Sequence, residues 1–305
     1  MSAERKSPIG TAGIVDRARA ALLGVAVGDA LGATTEFMTP AQIRDRYGVL
    51  REIVGGGWLK LSPGQVTDDT DMTLCVARGI VGSGRWDLGP IADRFARWLS
   101  GNPADVGATC RRGIEEYIGK GRLEAPPDER GAGNGAAMRV APVALYTLGD
   151  EELLSRLAVA QAHITHHHPL SDAACVSVGT MIQRGLLGAP PRELRATAED
   201  LCARYPEFRF ERYDGKSSGY VVDTLRTVFD AFFSTDTFED CVVKTVNRGG
   251  DADTTGSIAG AIAGARYGVS AIPQRWLQAL APNLREELSA LAEELVRMSP
   301  LFAEF

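Results

Sequence analysis

The chain has 305 residues, of which 45% are hydrophobic and 24% are charged, and its formal net charge is -6. These values are typical of a globular protein with a sizeable core, and the acidic balance without a basic stretch excludes a nucleic-acid-binding surface. No segment approaches the roughly 20 apolar residues of a transmembrane helix, and the start lacks the apolar core of a signal peptide. The five cysteines are scattered without CxxC spacing, which indicates reduced thiols. We therefore expect a cytoplasmic protein with no direct membrane insertion.

Helical periodicity dominates the chain, because apolar positions recur every three or four residues in most segments. The predicted helices cover residues 14–32, 72–82, 89–99, 152–164, 171–187, 191–204, 220–233, 237–247, 254–267 and 283–298. Only 50–60 and 205–214 resemble strands. No Pro/Ser-rich linker divides the chain, so the sequence predicts one compact all-α domain over residues 1–305, with 1–12 as a flexible tail.

Two of the predicted helices carry glycines at every fourth position. These are Gly24, Gly28 and Gly32 in the first helix, and Gly256, Gly260, Gly264 and Gly268 in or just after the second. Glycine inside a helix costs about 1 kcal/mol relative to alanine, so we expect close helix contact to offset that cost. Acidic residues adjoin the end of the first ladder and the start of the second. The contact should therefore bring acidic groups together.

Three aspartates crowd the stretch "VTDDTDMTL", residues 66–74, at the start of a predicted helix. They are Asp68, Asp69 and Asp71. For this cluster alone, N-capping of the helix by Thr67 or Asp68 is the simpler interpretation. One cap needs only one side chain, however, and the remaining carboxylates would repel one another.

A second acidic cluster lies in "NRGGDADTTG", residues 247–256, where Asp251, Asp253 and Thr254 open another predicted helix. Capping again accounts for one of these side chains. An EF-hand is excluded, because Ala259 and Ile262 stand where the calcium loop needs ligands. Carboxylate and hydroxyl oxygens are hard ligands for Mg²⁺, Mn²⁺ or Ca²⁺. The two clusters together therefore predict a site for two divalent cations.

Two further motifs leave alternatives open. All four histidines lie in "HITHHHP", where His163 can share a helical face with His166 or His167, but no other His or Cys motif completes a zinc site. A helix C-terminus, whose dipole favours histidine, is the alternative.

The glycine-rich stretch "GAGNGAAMR", residues 131–139, can bind phosphate through backbone N–H groups, although a plain connecting loop is an equal possibility.

With these motifs in order along the chain, the sequence resembles the ADP-ribosylglycohydrolases. The matching segments run from residue 24 to residue 268 and include "GVAVGDALGATTEFM", "GGGWLKLSPGQVTDDTDMTL", "PADVGATCRRGI", "GAGNGAAMR", "HITHHHPLSDAA", "SSGYVVDT" and "TVNRGGDADTTGSIAGAIAGARYG". The paired "TDDT" and "GGDADTTG" signatures are highly specific. The resemblance implies an all-α fold with a central binuclear metal cleft that holds two divalent cations, usually Mn²⁺ and in many relatives Mg²⁺.

The resemblance also implies a role for individual residues. The metal ligands would be Thr67, Asp68, Asp69, Asp251, Asp253 and Thr254. The catalytic carboxylates would be Asp68, Asp69 and Glu36, with Glu36 or Asp69 as general base. The substrate-binding residues would be Asp105 and Tyr220 around the arginine side chain, and Gly133, Asn134, Gly135, Met138 and His166 around ADP-ribose. Asp71 would lie next to the metal ligands without itself binding a cation.

The implied reaction is hydrolysis of the N-glycosidic bond between ADP-ribose and a protein arginine. The likeness is strongest to members that reactivate ADP-ribosylated dinitrogenase reductase in nitrogen-fixation control. It implies that protein as the substrate, ADP-ribose as the product, and a PII-type signalling protein as a partner that holds the enzyme reversibly at a membrane. Two alternatives are a hydrolase of another ADP-ribose linkage and a non-catalytic ADP-ribose-binding protein.

Overall fold

The computed structural model of the chain describes residues 9–302, so residues 1–8 of the predicted tail lie outside the described residues. Helix α1 begins at Thr11, which places the last two residues of that predicted tail in a helix. Residues 9–302 form helices and turns without a β-strand, which confirms the predicted all-α fold class.

The helices follow one another along the chain with short connections. They are α1 (Thr11–Gly32), α2 (Pro40–Tyr47), α3 (Asp68–Ser83), α4 (Leu88–Ser100), α5 (Ala108–Lys120), α6 (Ala141–Tyr146), α7 (Glu151–His163), α8 (Pro169–Leu186), α9 (Pro191–Arg204), α10 (Val221–Phe233), α11 (Phe238–Val246), α12 (Ala252–Tyr267), α13 (Gln274–Ala279) and α14 (Pro282–Arg297). Two short 3₁₀ helices lie at Pro206–Phe208 and Val269–Ala271.

Every helix that the periodicity predicts is present, with its ends within about one turn of the predicted ones. Four helices were not predicted, namely α2, α5, α6 and α13. Helices α6 and α13 have six residues each, too few to show a period. Helix α2 has a sequence signal that periodicity misses, a capping box in which Thr39 and Gln42 exchange side-chain-to-backbone hydrogen bonds.

Both strand-like predictions are wrong. In residues 50–60 the three consecutive glycines Gly55, Gly56 and Gly57 all have positive φ, so this backbone turns and makes only an isolated bridge to Leu61. Residues 205–214 contain a 3₁₀ turn at Pro206–Phe208 and pair with no other described segment, although Phe208 and Phe210 are both buried in the core.

Helices α1 and α12 form an antiparallel pair at the centre of the fold. A Cβ added to Gly24 would overlap the carbonyl oxygen of Gly260, and one added to Gly28 would overlap that of Gly256. At the end of the pair, Gly32 lies against the Ala252 carbonyl in the same way. The predicted close contact of the two ladders is therefore confirmed, and it places the C-terminus of α1 beside the N-terminus of α12.

The other helices surround this pair. Helices α3, α8 and α14 contact α1, whereas α8, α10 and α11 contact α12. From Ala20 to Gly32, and from Ala252 to Ala265, every residue of the central helices is buried. Apart from Asp29 and Asp253, their sequences in these stretches are accordingly apolar or small on all sides, as expected of helices without a solvent-facing side. No helix of residues 9–302 is both long and apolar enough to cross a membrane.

We expect Gly260→Ala to lower the free energy of unfolding by about 3 kcal/mol, because its methyl group would force two helix backbones apart. The matched control is Gly119→Ala, since Gly119 lies in helix α5 with open space around its Cβ position. Alanine there should be neutral or stabilising by up to about 1 kcal/mol. Urea unfolding of both variants measures the difference, and equal stabilities would contradict the close packing.

Candidate metal and substrate site

One cleft collects most of the predicted site residues. It has a volume of about 480 Å³ and lies where the C-terminus of α1 meets the N-termini of α3 and α12. The predicted residues that line it are Glu36, Asp68, Asp105, Gly133, Asn134, Gly135, Met138, His166, Asp251, Asp253 and Thr254. Thr67 and Asp69 lie buried behind this lining, and Tyr220 stands outside it next to the lining residue Gly219.

The first signature does not cap its own helix. Thr67 is the N-cap residue of α3, but its side chain makes no capping hydrogen bond. Asp29 of α1 caps the helix instead: its carboxylate accepts the backbone N–H groups of Thr67 and Thr70 at 3.0 and 3.1 Å. It also accepts both hydroxyls, at 2.9 Å from Thr67 and 2.5 Å from Thr70. The aspartates of α3 are therefore left free for another role.

Asp29 is fully buried, and this burial raises its pKa to about 6 even though the hydrogen bonds from Thr70 and Thr67 act in the opposite direction. Sequence reasoning assigned Asp29 no role at the site. The signal was available, because an acid inside the apolar, glycine-rich half of a helix needs partners within the protein. Its four donors fix the start of α3 against α1.

Asp69 is the deepest acid of the first signature. Its Oδ2 accepts the Thr254 hydroxyl at 3.2 Å, which joins the two signatures across the fold. Its Oδ1 is buried and has no hydrogen-bond partner among the described residues. Burial, and then the neighbouring Asp29 and Asp68, raise its pKa well above the usual range. A buried carboxylate oxygen without a donor is a vacant ligand for a cation.

Asp68 occupies the cleft side of the same helix start. Its Oδ2 accepts the backbone N–H of Gly107 at 3.3 Å. Burial and the nearby Asp105 raise its pKa to about 7. Asp71, one turn further, accepts the Trp98 Nε1–H at 3.0 Å and is not part of the cleft lining. Asp71 is thus separate from the group formed by the other acids.

Two glycines determine the backbone conformation of the second signature. Gly249 and Gly250 both have positive φ, and a Cβ on either would overlap a backbone carbonyl, that of Met38 or of Ser217. This turn leads into α12, where Asp251 is the N-cap residue but makes no side-chain capping bond. The side chain of the N-cap residue therefore caps neither helix, although Asp253 Oδ1 accepts the Thr254 N–H in the first turn of α12 at 2.9 Å. Asp251 and Asp253 both line the cleft.

Glu36, Asp251 and Asp253 form a group that could hold a metal ion, since ligand atoms of the three lie within 4.8 Å of one another. Burial raises the pKa of Glu36 to about 8, with Asp105 and Asp251 adding to the shift. The pKa of Asp253 lies well above the usual range, because of burial and then the charge of Asp69. Three negative charges this close repel by several kcal/mol, so the group favours a bound cation.

The candidate ligand atoms in the cleft suit hard divalent cations. Every candidate ligand is a carboxylate or hydroxyl oxygen, as Mg²⁺, Mn²⁺ and Ca²⁺ require. The Thr67 hydroxyl gives its hydrogen to Asp29 and the Thr254 hydroxyl gives its own to Asp69, so both oxygens keep lone pairs for a cation. Among the described residues that line the cleft there is no lysine or arginine. The described lining of the cleft therefore offers no lysine or arginine that could neutralise its carboxylates.

Two aromatic residues that sequence reasoning did not single out stand above Glu36. Trp58 donates its Nε1–H to Glu36 Oε2 at 2.5 Å, and its ring centroid lies 5.4 Å from that of Phe37. Both rings are exposed, and Phe37 has a positive φ of 60°. Such a backbone conformation is uncommon for a bulky residue. Together the two rings form an aromatic rim beside the acidic group.

The glycine-rich stretch forms the opposite wall of the cleft. The backbone N–H of Asn134 donates to the Gly219 carbonyl, and Gly133 pairs with Tyr220 in an isolated bridge. The Asn134 side-chain amide donates to Asp251 Oδ2 at 2.7 Å and to the Thr224 hydroxyl at 3.0 Å. Asn134 therefore orients an acid of the second signature, while the glycines around it leave backbone exposed to the cleft.

The histidines separate into two groups. His166 is buried and lines the cleft. His163 lies outside it, with its Nε2 3.0 Å from Asp172 Oδ1 and its Nδ1 3.3 Å from Glu124 Oε1, and its ring stacks on that of His167. The hydrogen bond to Asp172 is the main cause that raises the pKa of His163. His163 and His166 thus do not share a zinc site, whereas ligand atoms of His163, His167 and Glu124 lie within 4.8 Å of one another, so the His163–His167 alternative stays open.

Comparison with known proteins agrees with this architecture. A family model described as ADP-ribosylglycohydrolase matches residues 11–301, and the chain belongs to that family. It is 50% identical over 286 residues to the ADP-ribosyl-[dinitrogen reductase] glycohydrolase of Rhodospirillum rubrum, covering 94% of this chain and 97% of the relative.

Two further proteins are similar over almost the whole chain. The ADP-ribosylarginine hydrolase Tri1 of Serratia proteamaculans is 35% identical, with 94% of this chain and 80% of that protein covered. A solved structure of an ADP-ribosylglycohydrolase-related protein complex superposes with a TM-score of 0.84 at 38% identity, with 94% and 99% of the two chains covered. The fold is thus that of an ADP-ribosylglycohydrolase.

We expect Asp29→Asn to lower the free energy of unfolding by about 2–3 kcal/mol, because an amide N–H₂ would face donors that have no other acceptor. The control is Asp87→Asn, since Asp87 caps α4 through a single bond from the Gly89 N–H. Asparagine is an equally good cap there, so little change is expected. Chemical denaturation compares the two, and a neutral Asp29→Asn would refute the buried cap.

Metal binding should stabilise the protein more at higher pH. In the metal-free protein the pKa of Asp68 is about 7 and that of Glu36 about 8, above their values in an unfolded chain of about 4. The folded state therefore binds more protons between these values, and metal-free stability falls as the pH rises through that window. A divalent cation takes the place of the protons.

The measurement is thermal melting with Mn²⁺ and with a chelator between about pH 5.5 and pH 8. We expect the difference in Tm between the two conditions to grow steadily with pH. The pH dependence is the decisive readout, because nonspecific ionic effects do not follow carboxylate protonation. A Tm that changes with neither Mn²⁺ nor chelator would exclude a cation from this cluster.

Proposed function

We propose that this chain hydrolyses the N-glycosidic bond between ADP-ribose and an arginine side chain of a protein, releasing ADP-ribose and restoring the arginine. The observation that carries the proposal is the cleft itself, in which Glu36, Asp68, Asp105, Asp251 and Asp253 converge without a lysine or arginine among the described lining residues. Such a cleft attracts cations, both metal ions and a substituted guanidinium. The names of similar proteins, which include an ADP-ribosylarginine hydrolase, support the same reaction.

Two divalent cations, with Mn²⁺ preferred over Mg²⁺, would be held by the residues of the paired signatures. These ligands are Thr67, Asp68, Asp69, Asp251, Asp253 and Thr254. The buried Asp69 Oδ1 without a donor and the tight group of Glu36, Asp251 and Asp253 support this assignment. When bound, the cations would supply positive charge to the ribose hydroxyls and lower the pKa of a water molecule.

The arginine side chain would lie on the outer side of the cleft. Asp105 is half-buried there, and burial raises its pKa, so a cationic partner would stabilise its charged form. A carboxylate binds a guanidinium through paired hydrogen bonds. Tyr220 is exposed next to Gly219, from where its ring can stack on the guanidinium plane.

Of the candidate general bases, Glu36 fits the geometry best. It lines the cleft, whereas Asp69 lies behind the lining, and Asp68 already accepts the Gly107 N–H. The Trp58 N–H holds one Glu36 oxygen, which leaves the other for a water proton. In the reaction the bond between ribose C1′ and the guanidine nitrogen breaks, the water oxygen bonds to C1′, and the proton of that water passes to Glu36. The departing guanidine takes up a proton.

The physiological substrate follows from similarity. Because the relative in Rhodospirillum rubrum is named for dinitrogen reductase and shares half of the aligned residues, we propose ADP-ribosylated dinitrogenase reductase as the substrate protein. The PII-type partner and its reversible membrane association stay predictions from the sequence resemblance.

The test uses arginine-ADP-ribosylated dinitrogenase reductase and measures release of ADP-ribose with Mn²⁺. Asp68→Asn and Asp251→Asn should each lower kcat/KM by at least about 100-fold, since each removes a cation ligand. Asp71→Asn is the matched control, because Asp71 belongs to the same helix turn as Asp68 but bonds to Trp98 outside the cleft. It should stay within a few-fold of the wild type.

Two results would contradict the proposal. The first is full activity in the presence of chelator or in both cleft variants, which would exclude the two-cation site. The second is release of ADP-ribose from serine-linked substrate but not from arginine-linked substrate, which would establish a different linkage for the same cleft.

A further inference from the structure

Arg139 is a buried arginine without an acidic partner. It ends the glycine-rich stretch 131–139 and is fully buried, and no carboxylate of the described residues lies within ion-pair distance of its guanidinium. The guanidinium carbon Cζ lies over the Phe95 ring, 4.6 Å from the ring centroid. Burial lowers its pKa from the usual arginine value. Burying such a charge is costly, so a function for its position is expected.

The hydrogen bonds of Arg139 lead toward the cleft. Its Nε donates to Gln161 Oε1 at 2.9 Å, and one terminal nitrogen donates to the Gln161 carbonyl at 3.0 Å. The same terminal nitrogen donates to the Thr165 hydroxyl oxygen at 2.8 Å. That oxygen lies 2.7 Å from Nδ1 of His166, the histidine that lines the cleft. Arg139, Thr165 and His166 thus form a continuous chain, which we call the histidine relay.

The direction of the donors in the histidine relay determines the His166 tautomer. Arginine has only donors, so the Thr165 oxygen must accept from Arg139. The Thr165 hydroxyl is buried, and its hydrogen has His166 Nδ1 as acceptor. The opposite arrangement, in which Nδ1–H donates to Thr165, would leave the hydroxyl hydrogen buried without an acceptor at a cost of about 1–3 kcal/mol. Nδ1 is therefore the acceptor, and Nε2 carries the hydrogen.

The other edge of the ring faces the glycine-rich wall of the cleft. A Cβ on Gly133 would lie 2.9 Å from His166 Nε2, and one on Gly135 would lie 2.9 Å from Cε1. The glycines thus allow the ring to reach this wall. Burial, and then the positive charges of Arg139 and Arg112, lower the pKa of His166 to about 3, so the ring is neutral at working pH.

We propose that Arg139 and Thr165 are positioning residues, which hold His166 as the neutral Nε2–H tautomer so that it donates a hydrogen bond to an oxygen of the nucleotide part of the ligand. This inference deepens the proposed function and rests on it for the identity of the ligand, ADP-ribose. The position of the Nε2–H donor beside Gly133 and Gly135 places that oxygen against the glycine-rich wall.

The tautomer is tested directly by ¹⁵N NMR of protein labelled at histidine, of which the chain has four residues. The His166 signals are assigned by their loss in His166→Gln. We expect a protonated Nε2 and an unprotonated Nδ1 across the neutral pH range. An Nδ1–H tautomer or an imidazolium in the wild type would overturn the proposal. This readout needs no enzymatic activity, so it stands even where the proposed function fails.

The role of Thr165 is tested with Thr165→Val, which removes the hydroxyl at almost constant volume. We expect the His166 signals to move to those of a tautomer mixture and the Kd for ADP-ribose to rise about tenfold, since a hydrogen bond to a charged ligand is weakened. Thr165→Ser should restore both. An unchanged tautomer, or a changed tautomer with an unchanged Kd, would each contradict the proposal.

The matched control is Thr245→Val in α11. Thr245 is also buried, but its hydroxyl donates to the Cys241 carbonyl of its own helix at 2.8 Å, away from the cleft. This variant should keep the wild-type His166 spectrum and the wild-type Kd. A wild-type protein with the expected tautomer but no affinity for ADP-ribose would refute the proposed ligand and leave the assigned tautomer intact.

Discussion

The close backbone contact between α1 and α12 is the constraint on which the rest of the structure depends. Glycines at every fourth position let the two helices approach until no Cβ fits between them. Because the pair is antiparallel, the end of α1 meets the start of α12, and Asp29 of α1 attaches the start of α3 at the same place. The contact thus determines where two acidic helix starts, distant in sequence, come together.

The acids at this junction are buried, although burial disfavours the charged form of a carboxylate. This cost indicates what the acids do. Burial raises the pKa of Asp69 and Asp253 well above the usual range and that of Glu36 to about 8. A fold stabilised only by packing would have no reason to collect such groups. The same helices could be joined by apolar side chains at lower cost, so the arrangement favours a bound cation.

Sequence reasoning could predict the helices and the pairing of the two acidic signatures, because both depend on local patterns and on residue chemistry. It could not predict that Asp29 is the cap of α3, since that hydrogen bond crosses between two helices. Nor could it predict that the amide of Asn134, which lines the cleft as expected, donates to Asp251 and Thr224. It also missed Trp58, whose contact with Glu36 depends on a turn built from three glycines with positive φ. Such long-range contacts leave no periodic signal in the sequence.

One wall of the cleft is acidic, and the other has no acidic side chain among the described lining residues. The acids Glu36, Asp68 and Asp251 form one wall, and the glycine-rich stretch with His166 forms the other, with the buried charge of Arg139 behind it. ADP-ribosyl-arginine is divided in the same way, since its guanidinium is cationic and its diphosphate is anionic. Under the proposed function, the guanidinium of this substrate would lie at the acidic wall and the diphosphate at the glycine-rich wall, with the ribose between them. The glycosidic bond would then lie beside the acidic wall, where the cations and Glu36 would act.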